Sequence, residues 1–162
     1  MGLFEFVSNA KLELLNIYNN KLLLITMFVF LIIATYTDIK SLKIYNKFNI
    51  AFLITRLIFI FIPVYTYKLE LTHIVGSVVS FILILIPAIA LMHKMGGDIK
   101  FMTIMGLYLG GYLSILFLLL SCFYNLMYSL ISIFLLKKHS KDILIPFAPF
   151  FLTAFATLLL IC

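Results

Sequence analysis

Charge is what this sequence has least of. Asp, Glu, Lys and Arg together make up 11% of its 162 residues, and six acids stand against twelve basic residues. With a mean hydropathy of +1.22, that scarcity lies far outside the range of soluble globular domains. It also excludes nucleic-acid binding through a soluble basic face. Cysteine is nearly missing too. Cys122 and Cys162 stand alone in apolar segments and read as buried small hydrophobes, not as a disulfide pair or a metal site. His73, His93 and His139 are dispersed without metal-ligand spacing, and no serine or cysteine has a neighbouring base. Metal, cofactor and hydroxyl- or thiol-nucleophile chemistry therefore have no residues to rest on. Alternating segments of roughly ten residues, the mark of a membrane barrel, are absent as well.

What is present is a series of unbroken apolar runs, which implies an all-α integral membrane fold of one domain. Residues 1–20 carry Leu3, Val7, Ala10, Leu14 and Ile17 at helical spacing, with Glu5, Asn9, Lys11 and Glu13 between them. That pattern predicts an N-terminal amphipathic helix lying at the membrane surface, ahead of a membrane-embedded domain over 21–162. It lacks the positive start and small-residue cleavage site of a signal peptide. Leu22–Thr37 is a first span, slightly short of the roughly 20 residues a bilayer needs. Phe48–Val64, closed by Pro63, is a second span, and Thr72–Met92, with Pro87 as a kink, a third. The run from Ile99 to Leu136 carries no charge after Lys100, and as one straight helix it would reach about 57 Å. It must fold back, and Gly110-Gly111 is its strong breaker. The half ending at Leu109 is short, tilted or only partly inserted. Ile143–Cys162 is the last span.

Lysine placement sets the topology. The segments 38–47, 94–100 and 137–141 hold eight of the twelve basic residues. With six spans all three fall on one side, which the positive-inside rule makes cytoplasmic, and both termini lie outside. A five-span count scatters the charge to both sides. The net charge of +6 also favours contact with anionic lipid headgroups, especially through Lys40, Lys43 and Lys47. Arg56, in mid-span, either pairs with Glu70 or another polar group across the bundle or snorkels outward.

Of the six acids, Glu5 and Glu13 lie on the amphipathic segment, Glu70 in an external connection, and Asp142 among lysines. Asp38 and Asp98 both fall at cytoplasmic ends of spans, at the same depth. An acid in such a place carries a cost that marks a candidate functional site. Two carboxylates that meet in a poorly solvated place cannot both ionise. Such a pair can use one water for hydrolysis, the ionised acid taking its proton and the neutral acid polarising a carbonyl. On topology alone a second reading stays open, in which each aspartate only caps a helix or pairs with a lysine.

Three ordered motifs bear on that choice. Thr37-Asp38-Ile39-Lys40 with Ile44-Tyr45-Asn46, then Gly96-Gly97-Asp98-Ile99-Lys100, then Ile145-Pro146-Phe147-Ala148-Pro149-Phe150, resemble the motifs of the type IV prepilin peptidases. Met95 stands where the first glycine of the family's Gly-x-Gly-Asp is found, Tyr45 where a proline is, and Ala148 where a glycine is. The resemblance implies a six-helix membrane aspartic endopeptidase that removes the leader of prepilin-like or archaellin-like precursors at the cytoplasmic membrane face. It implies Asp38 and Asp98 as the catalytic pair, with Gly96, Gly97, Lys100, Asn46, Pro146 and Pro149 as substrate-binding or motif positions. The small size resembles the compact branch of tight-adherence pilus systems and archaeal preflagellin processing. With no insert of paired Cys-x-x-Cys motifs, neither zinc nor methyltransferase activity is expected. The expected partners are prepilin-like substrates and membrane lipids, at the inner membrane. Two rivals stand beside this reading. Presenilin-like proteases share the Gly-Asp motif but have more spans and a Pro-Ala-Leu motif missing here. A proton-coupled transporter or an inactive pilus-assembly subunit would use the acids as a relay, yet internal repeats and mid-span acids are not visible.

Overall fold

A computed structural model describes residues 2–61, 70–90, 96–134 and 145–161. Over these residues the chain forms seven helices and no strand: α1 (Leu3–Asn19), α2 (Lys21–Ser41), α3 (Asn46–Phe61), α4 (Leu71–Ala90), α5 (Gly96–Leu109), α6 (Gly111–Phe134) and α7 (Ala148–Ile161). Helix α1 falls on the amphipathic segment, and α2 to α7 fall on the six apolar runs. Two stretches, Lys21–Ser41 and Gly111–Ser132, are long and apolar enough to cross a membrane, while Leu71–Ile86 and Ala148–Leu160 are shorter apolar helices. The lysine segment 137–141, His93, Met95, Pro63 and Cys162 lie outside the described residues.

The long run breaks where its glycines stand. Gly110 adopts φ +90°, a left-handed conformation that glycine enters without a steric cost. Helix α5 ends there, and α6 runs back alongside it. The far half of α6 reaches the start of α7, where Tyr128 and Phe150 have ring centroids 5.6 Å apart.

Helix α5 is the hub. Phe101, Met102, Met105, Tyr108 and Leu109 on it are all fully buried, covered by α3, α4 and α6. The closest of these packings is with α4. A Cβ added to Gly76 would collide with the Gly106 and Gly110 carbonyls, and one on Gly106 with the Gly76 carbonyl. Side-chain-free crossings of this sort let two helix backbones touch, which is how apolar helices associate where no hydrophobic driving force separates protein from lipid.

An aromatic cluster binds the remaining helices to the hub. Phe52 of α3 stacks 4.5 Å from both Phe30 of α2 and Tyr108 of α5. Phe151 of α7 joins Phe101 and Phe117 at 5.9 and 5.8 Å, so all five helices share one interior. Contacts of this geometry add about 0.5–1.5 kcal/mol each beyond the area they bury.

The structure corrects two readings of single residues and decides a third, Arg56, that the sequence leaves open. Cys122 is exposed, not buried. Arg56 does not snorkel: it is fully buried, donates through Nε to the Leu107 carbonyl at 3.0 Å, and lies over the Tyr108 ring at 5.3 Å. Glu13 is not simply part of a polar face. Its carboxylate reaches the first turn of α6 and accepts the Leu113 N–H at 2.7 Å, with the Gly111 and Tyr112 N–H groups beside it. Those donors have no intrahelical partner, so α1 caps α6. Leu3 and Val7 stay exposed, while Ala10, Leu14 and Ile17 are buried.

Candidate active site

Helix α2 carries Asp38 in its last turn and then stops. Leu42 turns left-handed at φ 52°, and its N–H closes on the Asp38 carbonyl at 2.8 Å. The Asp38 side chain is 4% exposed. Its Oδ2 accepts the Ala148 N–H at 2.8 Å, at the start of α7. Thr35 donates to the Ala148 carbonyl at 3.2 Å, so Ala148 is tied to α2 from both sides of its peptide. Pro149 occupies the second position of α7, within the first turn where a missing N–H costs nothing.

Asp98 lies in the first turn of α5, where the helix dipole favours an acid. The two glycines before it behave differently. A Cβ on Gly96 would meet nothing, but one on Gly97 would stand 2.5 Å from the Ile44 carbonyl oxygen. Gly97 is therefore the place where the α2–α3 connection presses against the backbone beside Asp98. Two side chains of α3 fix that approach. Asn49 donates through Nδ2 to the Gly97 carbonyl at 3.1 Å, and Asn46 accepts from Lys100 Nζ at 2.9 Å.

The result is a cleft of about 390 Å³ between residues 42–46 on one side and Gly96, Gly97, Asp98 and Lys100 on the other. Asp38 lies within reach of Asp98 for its charge to act on it, but does not line the cleft. Of the residues singled out in the sequence, the structure gathers Asp98, Gly96, Gly97, Lys100 and Asn46 around one opening and sets Asp38 beside it. Pro146 and Pro149 are not among the lining residues; they shape the α7 start that holds Asp38. Among the described residues no group of three or more His, Cys, Asp or Glu side chains gathers as a metal site would need.

The residue missed in the sequence is Asn49. Its signal was the spacing of Asn46 and Asn49, three apart and so on one face of a helix. It is 3% exposed, and its Oδ1 has no hydrogen-bond partner among the described residues.

No curated protein and no solved structure matches the chain. A protein family does, over residues 25–130, a stretch that covers more than half of the chain and holds both aspartates. The chain belongs to the type IV leader peptidase family.

Proposed function

We propose that this protein is a multi-pass membrane aspartic endopeptidase that removes the leader of prepilin-like or archaellin-like precursors at the cytoplasmic face of the cell membrane. The family supplies the peptidase activity and the class of precursor. The observation that supports the aspartic assignment is that Asp98 lines the cleft with Asp38, from a second helix, within reach of its charge. In such a pair one carboxyl is ionised and the other neutral, because two like charges in a poorly solvated place repel. The ionised carboxylate takes a proton from water, whose oxygen attacks the scissile carbonyl carbon. The neutral carboxyl hydrogen-bonds the carbonyl oxygen and gives it a proton as the tetrahedral diol forms. Collapse of the diol breaks the C–N bond and passes a proton to the leaving amine. Neither zinc nor methyl transfer enters this scheme.

One observation favours a second reading of Asp38: its carboxylate caps α7. Asparagine separates the two roles, since it keeps an oxygen for the Ala148 N–H but cannot accept a proton from water. The test is co-expression of a tagged prepilin with the Asp38→Asn and Asp98→Asn variants, read as a gel shift on leader removal. Each substitution is expected to abolish cleavage. Full cleavage in both would falsify the catalytic assignment, whereas no cleavage by the unmodified protein would favour the non-peptidase alternative, a transporter or an inactive assembly subunit.

A further inference from the structure

A second opening lies next to the Asp98 cleft. It is a groove of about 460 Å³ with α3 on one wall, α4 on the other and α5 as its floor, and it is largely apolar. Leu53 of α3, Phe81 of α4 and Thr103 of α5 all line it. The flanking faces point away from the protein: Ile50, Ile54, Val78 and Ile82 are about half exposed. In a membrane-embedded bundle such faces meet lipid, so the groove opens sideways into the bilayer. Asn46 and Lys100 line both this groove and the Asp98 cleft. The hydrogen-bonded Asn46–Lys100 pair is the boundary the two openings share.

Of the polar side chains lining the groove, Asn49 is the telling one. It is almost wholly buried and leaves Oδ1 unpaired among the described residues, while Nδ2 is spent on the Gly97 carbonyl. An unsatisfied buried amide oxygen costs on the order of 1–3 kcal/mol. A partner that brings an N–H to it would recover that cost.

We propose that the α3–α4 groove receives the apolar, membrane-embedded segment of the precursor that adjoins the scissile bond. Asn49 Oδ1 accepts a backbone N–H of that segment where it leaves the groove for Asp98. This rests on the peptidase reading above and adds the route by which the substrate arrives. The occupant must be apolar because the groove opens on lipid. It must belong to the substrate because the groove adjoins the cleft through Asn46 and Lys100. Asn49 thereby links binding to geometry, holding the backbone beside Asp98 with one end of its amide and the substrate with the other.

The experiment fills the groove and compares two substrates. One is a membrane-anchored precursor with an apolar segment of about twenty residues after its cleavage site. The other is a soluble peptide of leader and cleavage site alone. Leu53→Trp and Phe81→Trp are expected to lower kcat/KM on the anchored precursor by at least about tenfold and to cut the peptide within about twofold of the unmodified protein. Ile82→Trp, on the outward face of α4, is expected to change neither. A photocrosslinking amino acid in place of Phe81 gives an independent reading that needs no bulky side chain, with an adduct to the anchored precursor expected. Unchanged cleavage of the anchored precursor, equal loss on both substrates, or an adduct to lipid alone overturns the groove assignment while leaving the peptidase reading in place. Failure of the unmodified protein to cut either substrate overturns the peptidase reading and this one with it.

Discussion

The adjacent glycines before Asp98 offer the sharpest check on the site. Gly97→Ala adds one methyl carbon 2.5 Å from the Ile44 carbonyl oxygen, where ordinary contact begins at 3.4 Å. The two backbones must part by about 0.9 Å, and neither is the free end of a side chain. Overpacking of this kind costs about 1–3 kcal/mol, and the shift also loosens the Asn49 bond to the Gly97 carbonyl. Because Asp98 follows Gly97 directly, the displacement falls on the candidate catalytic carboxyl. A misplacement of about 1 Å costs on the order of 10²-fold in rate. Gly96→Ala meets nothing within 4 Å and has no positive φ to lose. The assay is time-resolved cleavage of a tagged precursor by each purified variant, with a circular-dichroism melt in detergent to confirm folding. Gly97→Ala is expected to slow cleavage by roughly 10²-fold and Gly96→Ala to stay within about twofold of the unmodified protein. Equal rates for the two variants would refute the argument that the Ile44 contact positions Asp98.

Other substitutions probe the scaffold. Gly106→Ala places a methyl group against the Gly76 carbonyl and should cost about 1–3 kcal/mol or more, seen as a lower melting temperature with α4 and α5 forced apart. Tyr108→Phe removes the hydroxyl that donates to the Phe52 carbonyl at 3.1 Å and pairs with Thr55 at 2.9 Å. It should cost about 1–3 kcal/mol, since buried partners are left unsatisfied, while leaving the aromatic stack in place. Glu13 gives a pH signature. Burial pushes its carboxyl above the usual 4.5, the N–H groups of α6 opposing that shift. Because the folded state holds the proton more tightly than the unfolded chain, the stability involved is fully present below pH 4.5 and is lost as pH rises through the folded value. Glu13→Gln should flatten the melting temperature against pH above 4.5 while keeping an acceptor for the Leu113 N–H, whereas Glu13→Leu should lower it at every pH.

The helices were legible in the sequence because apolar runs and their breakers are local signals. Gly110 announces its own turn, and the lysines mark the ends of runs without any knowledge of packing. The acid pair was legible for a different reason: in a chain with six acids, the two at equivalent helix ends stand out. What stayed hidden was decided across the fold. Asn49 gains its meaning from a carbonyl 48 positions away, and Glu13 from an amide 100 positions away. Neither distance leaves a periodicity to read. Arg56 was visible as an anomaly, but whether it turned inward depended on the Leu107 carbonyl and the Tyr108 ring that only the packing of α3 on α5 provides. Cys122 erred the other way, since an apolar run by itself does not say which of its faces meets the interior.

The brevity of the central helix has a consequence for how hydrolysis gets its water. Fourteen residues make a rod of about 21 Å, against a hydrocarbon slab of about 30 Å. Most of α5 is buried against protein, so its ends need not reach the headgroups. Helices α2 and α6, at 21 and 24 residues, reach about 32 and 36 Å, so the bundle keeps a full bilayer depth around a short centre. Asp98 stands in the first turn of α5, beside the α2–α3 connection at Ile44, so on the proposed reading water reaches the carboxyls at the end of the bundle.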